Sequence, residues 1–401
     1  MAKTGIEKGE AMEMPPLPEV FFPMEKALEK RREAGTLRNL RSMEPMDGGR
    51  VRVGDRILVN FSGNDYLGLS RDPLLLQRGE EFARYFGAGA TASRLICGNF
   101  SCMEAVEKKI ARMKGFESVL MLASGYQANL SLLAALCDRK TLIFSDRLNH
   151  NSLIQGARLS GGKIIRFRHN DLSHLEKLLC NAPEETRKCI VTESVFSMDG
   201  DVPDLEGLSR LAAIHQALLL VDEAHATGVL GDQGMGLVKP GMAHAVVGTF
   251  GKGAGVFGAY VAGPALLKEY LVNEMGGFVF STALPPSVIG MVDASLDRMA
   301  EMDAERVHLT ALGNRLRLGL QKLGFDTGAS STQIVPVMMG DAKTALALSA
   351  HLEKEGFLGV AIRPPTVPEG ESRIRLSLCA LHSKKDVEGL IRAFSTFTVI
   401  A

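Results

Sequence analysis

The sequence predicts an α/β protein with a mainly parallel central sheet, followed by a smaller α+β region at the C-terminal end. Two observations carry that prediction. Short apolar or β-branched runs recur between residues 118 and 249, mostly separated by helix-like segments, as in a sheet covered on both faces by crossover helices. Near Pro285-Pro286 this rhythm stops, and a long amphipathic stretch leads into a tail that mixes extended and helical pieces. Size agrees, because 401 residues are many for one core and favour a large part with a smaller companion.

Taken in order, residues 1–20 read as a flexible leader, and Phe21 to Ala34 has helical apolar spacing with a basic end that continues through Arg38 and Arg41. Val51 to Phe61 reads as a hairpin turning at Gly54-Asp55, followed by the turn-rich Asn64-Asp65-Tyr66-Leu67-Gly68. The strand candidates of the sheet are SVLML (118–122), TLIF (141–144), KIIRF (163–167), KCIVT (188–192), LLLV (218–221) and HAVVGT (244–249). One long connecting helix is expected from 286 to about 325. Beyond it come strand-like QIVPVM (333–338), a helix at about 342–355, extended VAIRP (360–364) and RIRLSL (373–378), and a closing helix. The expected divisions are thus 1–60, 61–285, 286–325 and 326–401. There is no internal repeat or low-complexity tract.

Composition narrows the function. With 46 basic and 46 acidic residues, bulk charge gives no reason to expect a nucleic-acid or membrane-surface partner. The six cysteines form no C-x-x-C pair, and most lie in apolar stretches, so a reduced, cytosolic setting is expected and no metal site is suggested. The N-terminal residues lack the apolar run of a signal peptide, and nothing later reaches transmembrane length.

Lys252 lies in the glycine-rich run Gly248-Thr249-Phe250-Gly251-Lys252-Gly253-Ala254-Gly255. Such a loop suits a phosphate clamp or a covalent attachment point, and a solvent-facing turn is the plain alternative. A Walker A loop is excluded, because Val246 and Gly253 stand where it needs a glycine and a hydroxyl residue. Gly253, Gly255 and Gly258 satisfy the dinucleotide spacing by letter, yet FGAYVA (257–262) reads as a strand where that motif must open a helix.

Ligands of open parallel sheets collect outside the carboxyl ends of the strands. Polar residues end several strands here: Thr192-Glu193-Ser194 and Ser197-Met198-Asp199-Gly200 after KCIVT, Asp222 and His225 after LLLV, and Thr249 and Lys252 after HAVVG. Each alone reads as a cap or turn, but together they make sense as a pyridoxal phosphate site. Such a site needs a lysine for the covalent link and a carboxylate for the ring nitrogen, with phosphate donors and a group stacked on the ring. Asp222 suits the carboxylate: an ion pair at ~4 Å with effective dielectric ~20 is worth about 4 kcal/mol before desolvation. That is roughly three pKa units, enough to keep a ring nitrogen protonated near neutrality. Ser124-Gly125-Tyr126 opens a helix-like run, YQANLSLLAAL, whose N-terminus can receive a phosphate. Asn149-His150 follows another strand and can supply the stacking imidazole, although a lone histidine is more often structural.

These stretches resemble the α-oxoamine synthases, pyridoxal-phosphate enzymes with the aspartate-aminotransferase fold (fold type I). The resemblance runs from about Phe21 to the closing helix, through NFSGNDYLGLS (60–70), TESVFSMDGD (192–201), VDEAHATGVLG (221–231), GTFGKG (248–253) and AIRPPTVPEGESRIRLSL (361–378). It implies that Lys252 carries the cofactor and moves a proton, that Asp222 faces the ring nitrogen, and that His150 stacks on the ring. His225 and Ser197 would touch the phenolic oxygen, with Gly125, Tyr126 and Thr249 near the phosphate. Ser281 and Thr282 would reach the phosphate of a partner subunit, which implies a homodimer with shared sites. Arg375 and Asn64 would hold the amino-acid carboxylate, and Arg38 and Thr366 the acyl substrate. The reaction implied is a decarboxylative condensation of L-alanine with a pimeloyl thioester, on coenzyme A or a carrier protein, in biotin biosynthesis. Glycine with acetyl or succinyl thioesters, or serine with a long acyl chain, are the rivals. Two departures from the pattern are Gly63, where serine is common, and Ala90, where glycine is expected.

Overall fold

The computed structural model describes residues 18–33 and 35–398, so the leader expected over 1–20 lies outside the described residues up to residue 17. The chain divides into two compact units between Ser42 and Met43. In the first, a 3₁₀ turn (Glu19–Phe21) continues into the helix Phe22–Glu33, close to the span expected from its spacing. Lys30, Arg31 and Arg32 occupy its last turn, where cations oppose the negative end of the helix dipole.

The second unit begins with β1 (Glu44–Met46), β2 (Arg50–Val53) and β3 (Arg56–Asn60). The main sheet is built from β4 (Ser118–Leu122), β5 (Thr141–Asp146), β6 (Lys163–Phe167), β7 (Arg187–Glu193), β8 (Leu218–Asp222), β9 (Ala245–Thr249) and β10 (Ala259–Gly263). Its seven strands are ordered β4-β10-β9-β8-β7-β5-β6. Only β10 runs against its neighbours, pairing antiparallel with both β4 and β9. The apolar runs form strands because helices cover both faces: Ile190, Val221, Val246 and Val247 are each 0% exposed. At about 1.5–3 kcal/mol for each such side chain fully buried, these strands supply much of the drive to fold. The segment after Lys252 is indeed a strand, β10, which disposes of the dinucleotide reading.

The amphipathic stretch after Pro285 departs from expectation. In place of one connecting helix over 286–325 there are two, Pro286–Glu301 and Asp303–Lys322, separated at Met302, whose ψ of 36° leaves the helical region. Apolar spacing continues across the break, and no glycine or proline marks it. Met302 is itself buried, so packing sets the bend where local propensity does not.

The C-terminal region contains β11 (Ile334–Gly340), β12 (Phe357–Leu358), β13 (Val360–Ile362) and β14 (Ser372–Ser377), with helices Ala342–Lys354 and Lys384–Ser395. β14 lies between β11 and β13 in an antiparallel three-stranded sheet. The predicted hairpin β2–β3 turns at Gly54-Asp55 as expected, but β3 also pairs in parallel with β12. The hairpin is therefore part of a four-stranded sheet, β1-β2-β3-β12, closed by the C-terminal region. Among the described residues no helix is long and apolar enough to cross a membrane.

Candidate active site

Parallel registers bring the carboxyl ends of β7, β8 and β9 to one rim of the sheet. Glu193 is opposite Asp222, and Asp222 is opposite Val247, two residues before Thr249. Beyond Thr249 the chain makes a tight loop: Phe250 N donates to Gly258 O at 2.9 Å, and Gly255 N to Lys252 O at 2.8 Å. The loop touches the segment carrying His225 through two glycines. A Cβ on Gly228, which has φ +90°, would meet the Gly253 carbonyl carbon at 2.8 Å, and one on Gly253 would meet Thr227 O at 2.6 Å. Backbone meets backbone there, with room for no side chain.

Lys252 Nζ lies 2.7 Å from His225 Nε2, and His225 Nδ1 lies 2.6 Å from the Tyr66 hydroxyl. Tyr66 is also within 3.1 Å of Asn64 Oδ1 and receives Arg375 Nη2 at 3.4 Å. Arg375 donates further to Asn64 Oδ1 at 3.2 Å, to the Ser197 carbonyl at 2.5 Å and to Ser377 Oγ at 2.7 Å. An unbroken polar chain thus joins the lysine to a buried, fixed guanidinium. Burial lowers the Lys252 pKa to about 8, the Arg375 charge adding to the effect and the Asp222 and Glu193 carboxylates opposing it. Burial, with Lys252 and Arg375 beside it, holds His225 well below the usual imidazole range and therefore neutral.

Asp222, 4% exposed, accepts Ala224 N at 2.8 Å on one oxygen and Asn129 Nδ2 at 2.6 Å on the other. Asn129 also donates to Ser152 Oγ at 2.9 Å, and Ser152 Oγ is 2.8 Å from His150 Nδ1. Glu193 takes the His150 backbone N–H at 2.5 Å. Burial, followed by the neighbouring Asp222 charge, pushes the Glu193 carboxyl well above the usual carboxylate range. His150 is shifted down by burial, against the pull of Asp222.

The helix Gly125–Leu136 starts beside this rim, capped by Ser124 Oγ, which accepts Gln127 N at 3.2 Å. Its first residue lies beside Thr249: a Cβ on Gly125 would stand 3.5 Å from Thr249 Cβ. Tyr126 is exposed, its ring 6.5 Å from that of His150 and edge-on to it. Ser281 Oγ accepts Gln127 Nε2 at 3.2 Å, and Thr282 bridges to Ser93.

Residues 56–394 match the family described as aminotransferase class I and II. The chain belongs to that family. Within the aminotransferase class I and II family, it is 55% identical over 376 residues to a protein of Desulfosudis oleivorans provisionally named 8-amino-7-oxononanoate synthase, with 93% of this chain and 98% of that one covered. It is 49% identical over 352 residues to the 8-amino-7-oxononanoate synthase of Gluconacetobacter diazotrophicus, covering 86% and 88%. Among solved structures, the Sphingomonas wittichii serine palmitoyltransferase superposes with a TM-score of 0.88 at 30% identity, covering 95% and 98%. The family and these relatives make the chain a pyridoxal-phosphate-dependent α-oxoamine synthase of fold type I.

The residues present fit that cofactor. A lysine with its pKa near 8 is available as a nucleophile, a buried carboxylate stands at the adjacent strand end, and a helix N-terminus with glycine at its first position faces Thr249. Of the positions named from the sequence, Lys252, His225, Asp222, His150, Asn64, Arg375 and Ser197 share one connected rim, with Gly125 and Thr249 adjoining. Ser281 meets the same chain's Gln127, while its expected reach to a partner subunit needs a second copy. Thr366 is exposed in a turn whose N–H bonds Arg363 O at 3.1 Å, and Arg38 belongs to the N-terminal unit. Sequence reasoning gave no role to Tyr66, Asn129, Ser152, Glu193 or Arg373. A signal existed for Asn129, the one amide inside the mostly apolar stretch ANLSLLAAL.

Proposed function

We propose that this α-oxoamine synthase condenses L-alanine with a pimeloyl thioester, giving 8-amino-7-oxononanoate, carbon dioxide and the free thiol carrier, a step of biotin biosynthesis in the cytoplasm. The observation that supports this reading most is the near full-length likeness, at 49–55% identity, to proteins bearing that enzyme's name. Bound pyridoxal phosphate supplies a covalent link to the amino acid and an electron sink next to its Cα.

The chain's residues then divide the work. The Arg375 guanidinium, preset by Ser197 O, Ser377 and Asn64, holds the amino-acid carboxylate. The Lys252 amine would hold the cofactor and move the Cα proton, a role suited by a pKa near 8. With the cofactor bound, Asp222 would keep its ring nitrogen protonated, and His225 with Ser197 would meet its phenolic oxygen. His150 would stack on that ring and offer a ring N–H to the thioester carbonyl. Gly125, Tyr126 and Thr249 would receive the phosphate, and Arg38 and Thr366 are proposed for the acyl chain.

We further infer a homodimer with shared sites. It is supported by exposed apolar side chains on adjoining segments, Ile96 at 79% and Phe280 at 89%, next to the bridge between Ser93 and Thr282. Light scattering should give twice the chain mass.

The serine palmitoyltransferase likeness favours a second reading, serine with a long acyl thioester. Thiol release measured with alanine, glycine and serine against thioesters of graded length separates the two. Alanine with the seven-carbon diacid thioester should be fastest, each missing methylene costing about 1–3 kcal/mol of discrimination. Preference for serine and long chains would replace the first reading by the second. Lys252→Ala should abolish both thiol release and the cofactor's visible absorbance band; survival of both removes Lys252 from its role.

A further inference from the structure

The two imidazoles of the site are held differently, and His150 is held by a chain of groups whose protons can all be counted. Asn129 is 1% exposed and Ser152 0% exposed. Asn129 Nδ2 faces Asp222 Oδ2 at 2.6 Å and Ser152 Oγ at 2.9 Å. A carboxylate oxygen only accepts, so the amide must present its nitrogen there, and both of its protons are committed. The opposite atom agrees: Asn129 Oδ1 is buried without a hydrogen-bond partner. Such an orphan is tolerated because the reversed amide would set oxygen against the Asp222 carboxylate.

Having accepted from Asn129, Ser152 Oγ has one proton to give, and His150 Nδ1 is 2.8 Å away. The Ser152 backbone N–H donates to the same ring nitrogen at 3.2 Å. A ring nitrogen that receives two donors carries no proton, so a neutral ring keeps its proton on Nε2. Glu193 fixes the residue from the other side by accepting its backbone N–H.

We propose that Asn129 and Ser152 are positioning residues that lock His150 into the Nε2–H tautomer, and that the lock is set by the carboxylate of Asp222. One aspartate would thereby serve two ends, holding the ring nitrogen of the bound cofactor and fixing the imidazole of His150. The charged or titratable groups around His150 are Asp222, Lys252, Glu193, the second imidazole His225 and the Tyr126 ring. The catalytic use of the Nε2–H, as a donor to the thioester carbonyl, rests on the proposed condensation; the tautomer itself does not.

The test is nitrogen-15 NMR of the cofactor-loaded enzyme labelled at histidine, with the His150 signals assigned by their loss in His150→Gln. At pH 7 the wild type should show a directly bonded proton on Nε2 and none on Nδ1. In Ser152→Ala a population protonated on Nδ1 should appear and the His150 titration should move upward, because a donor to the neutral ring is lost. Ser152→Thr, which keeps the hydroxyl, should restore the single tautomer. A wild-type ring protonated on Nδ1 overturns the proposal without any variant, as does a Ser152→Ala spectrum identical to wild type. Failure of the alanine condensation with an intact NMR result would strike only the substrate reading.

Discussion

Tyr66 gains a place at the residue scale that its motif alone did not disclose. Its hydroxyl sits between His225, Asn64 and Arg375, and burial raises its pKa, against the Arg375 charge, so it stays a phenol. Tyr66→Phe should strand a buried imidazole nitrogen, costing about 1–3 kcal/mol. We expect kcat/KM to fall roughly tenfold to a hundredfold, in line with that energy, with cofactor still bound. Lys252 gives a second expectation. Its amine is unprotonated above about pH 8, so the rate at which cofactor-free protein takes up pyridoxal phosphate should rise through pH 8 and then level. An ordinary exposed lysine would keep gaining to about pH 10.4.

Between elements, His169 is the clearest tie. It follows β6 and spans two carboxylates, Asp146 at the end of β5 (3.0 Å) and Asp201 beyond the Ser197–Gly200 turn (2.8 Å). Burial pulls its pKa down, but the two aspartates more than offset this and carry it up to about 9. A folded pKa above the unfolded value of about 6.5 stabilises fully below pH 6.5, and the gain is lost as pH rises through 9. Unfolding free energies from denaturant titration should therefore fall between pH 6.5 and 9.5 by an amount on the order of 3 kcal/mol at most, and His169→Gln should remove that slope. Comparison with the variant isolates it from Lys252, whose lowered pKa acts in the opposite sense. The tie also shows what was legible in the sequence. The strand ends announced themselves, because an apolar run ending in Asp222, Glu193 or Thr249 is a local pattern. Pairings such as Asn129 with Asp222 or His169 with Asp201 join residues 93 and 32 positions apart, and no local spacing encodes them. The break at Met302 was hidden for a related reason: packing sets it while the helical period runs on.

For the molecule as a whole, β14 couples the C-terminal sheet to the rim. Arg373 and Arg375 lie two residues apart on this strand; Arg373 donates to Asp199 at 2.6 Å while Arg375 donates to the Ser197 carbonyl. With the Arg373 side chain only 3% exposed, the pair resists screening by salt. Arg373→Met should cost about 1.5–3 kcal/mol of local stability, read as roughly tenfold to hundredfold faster amide exchange over residues 196–200, with Arg375 untouched. The contact between Gly228 and Gly253 has a different reach. Since a Cβ on either would collide with the backbone of the other segment, the loops bearing His225 and Lys252 cannot diverge independently. In a library randomised at both positions and selected for growth without the product, survivors should carry glycine at 228 and 253 together. The spacing between amine and imidazole is in effect inherited as a single unit, and new substrates must be sought elsewhere on the rim.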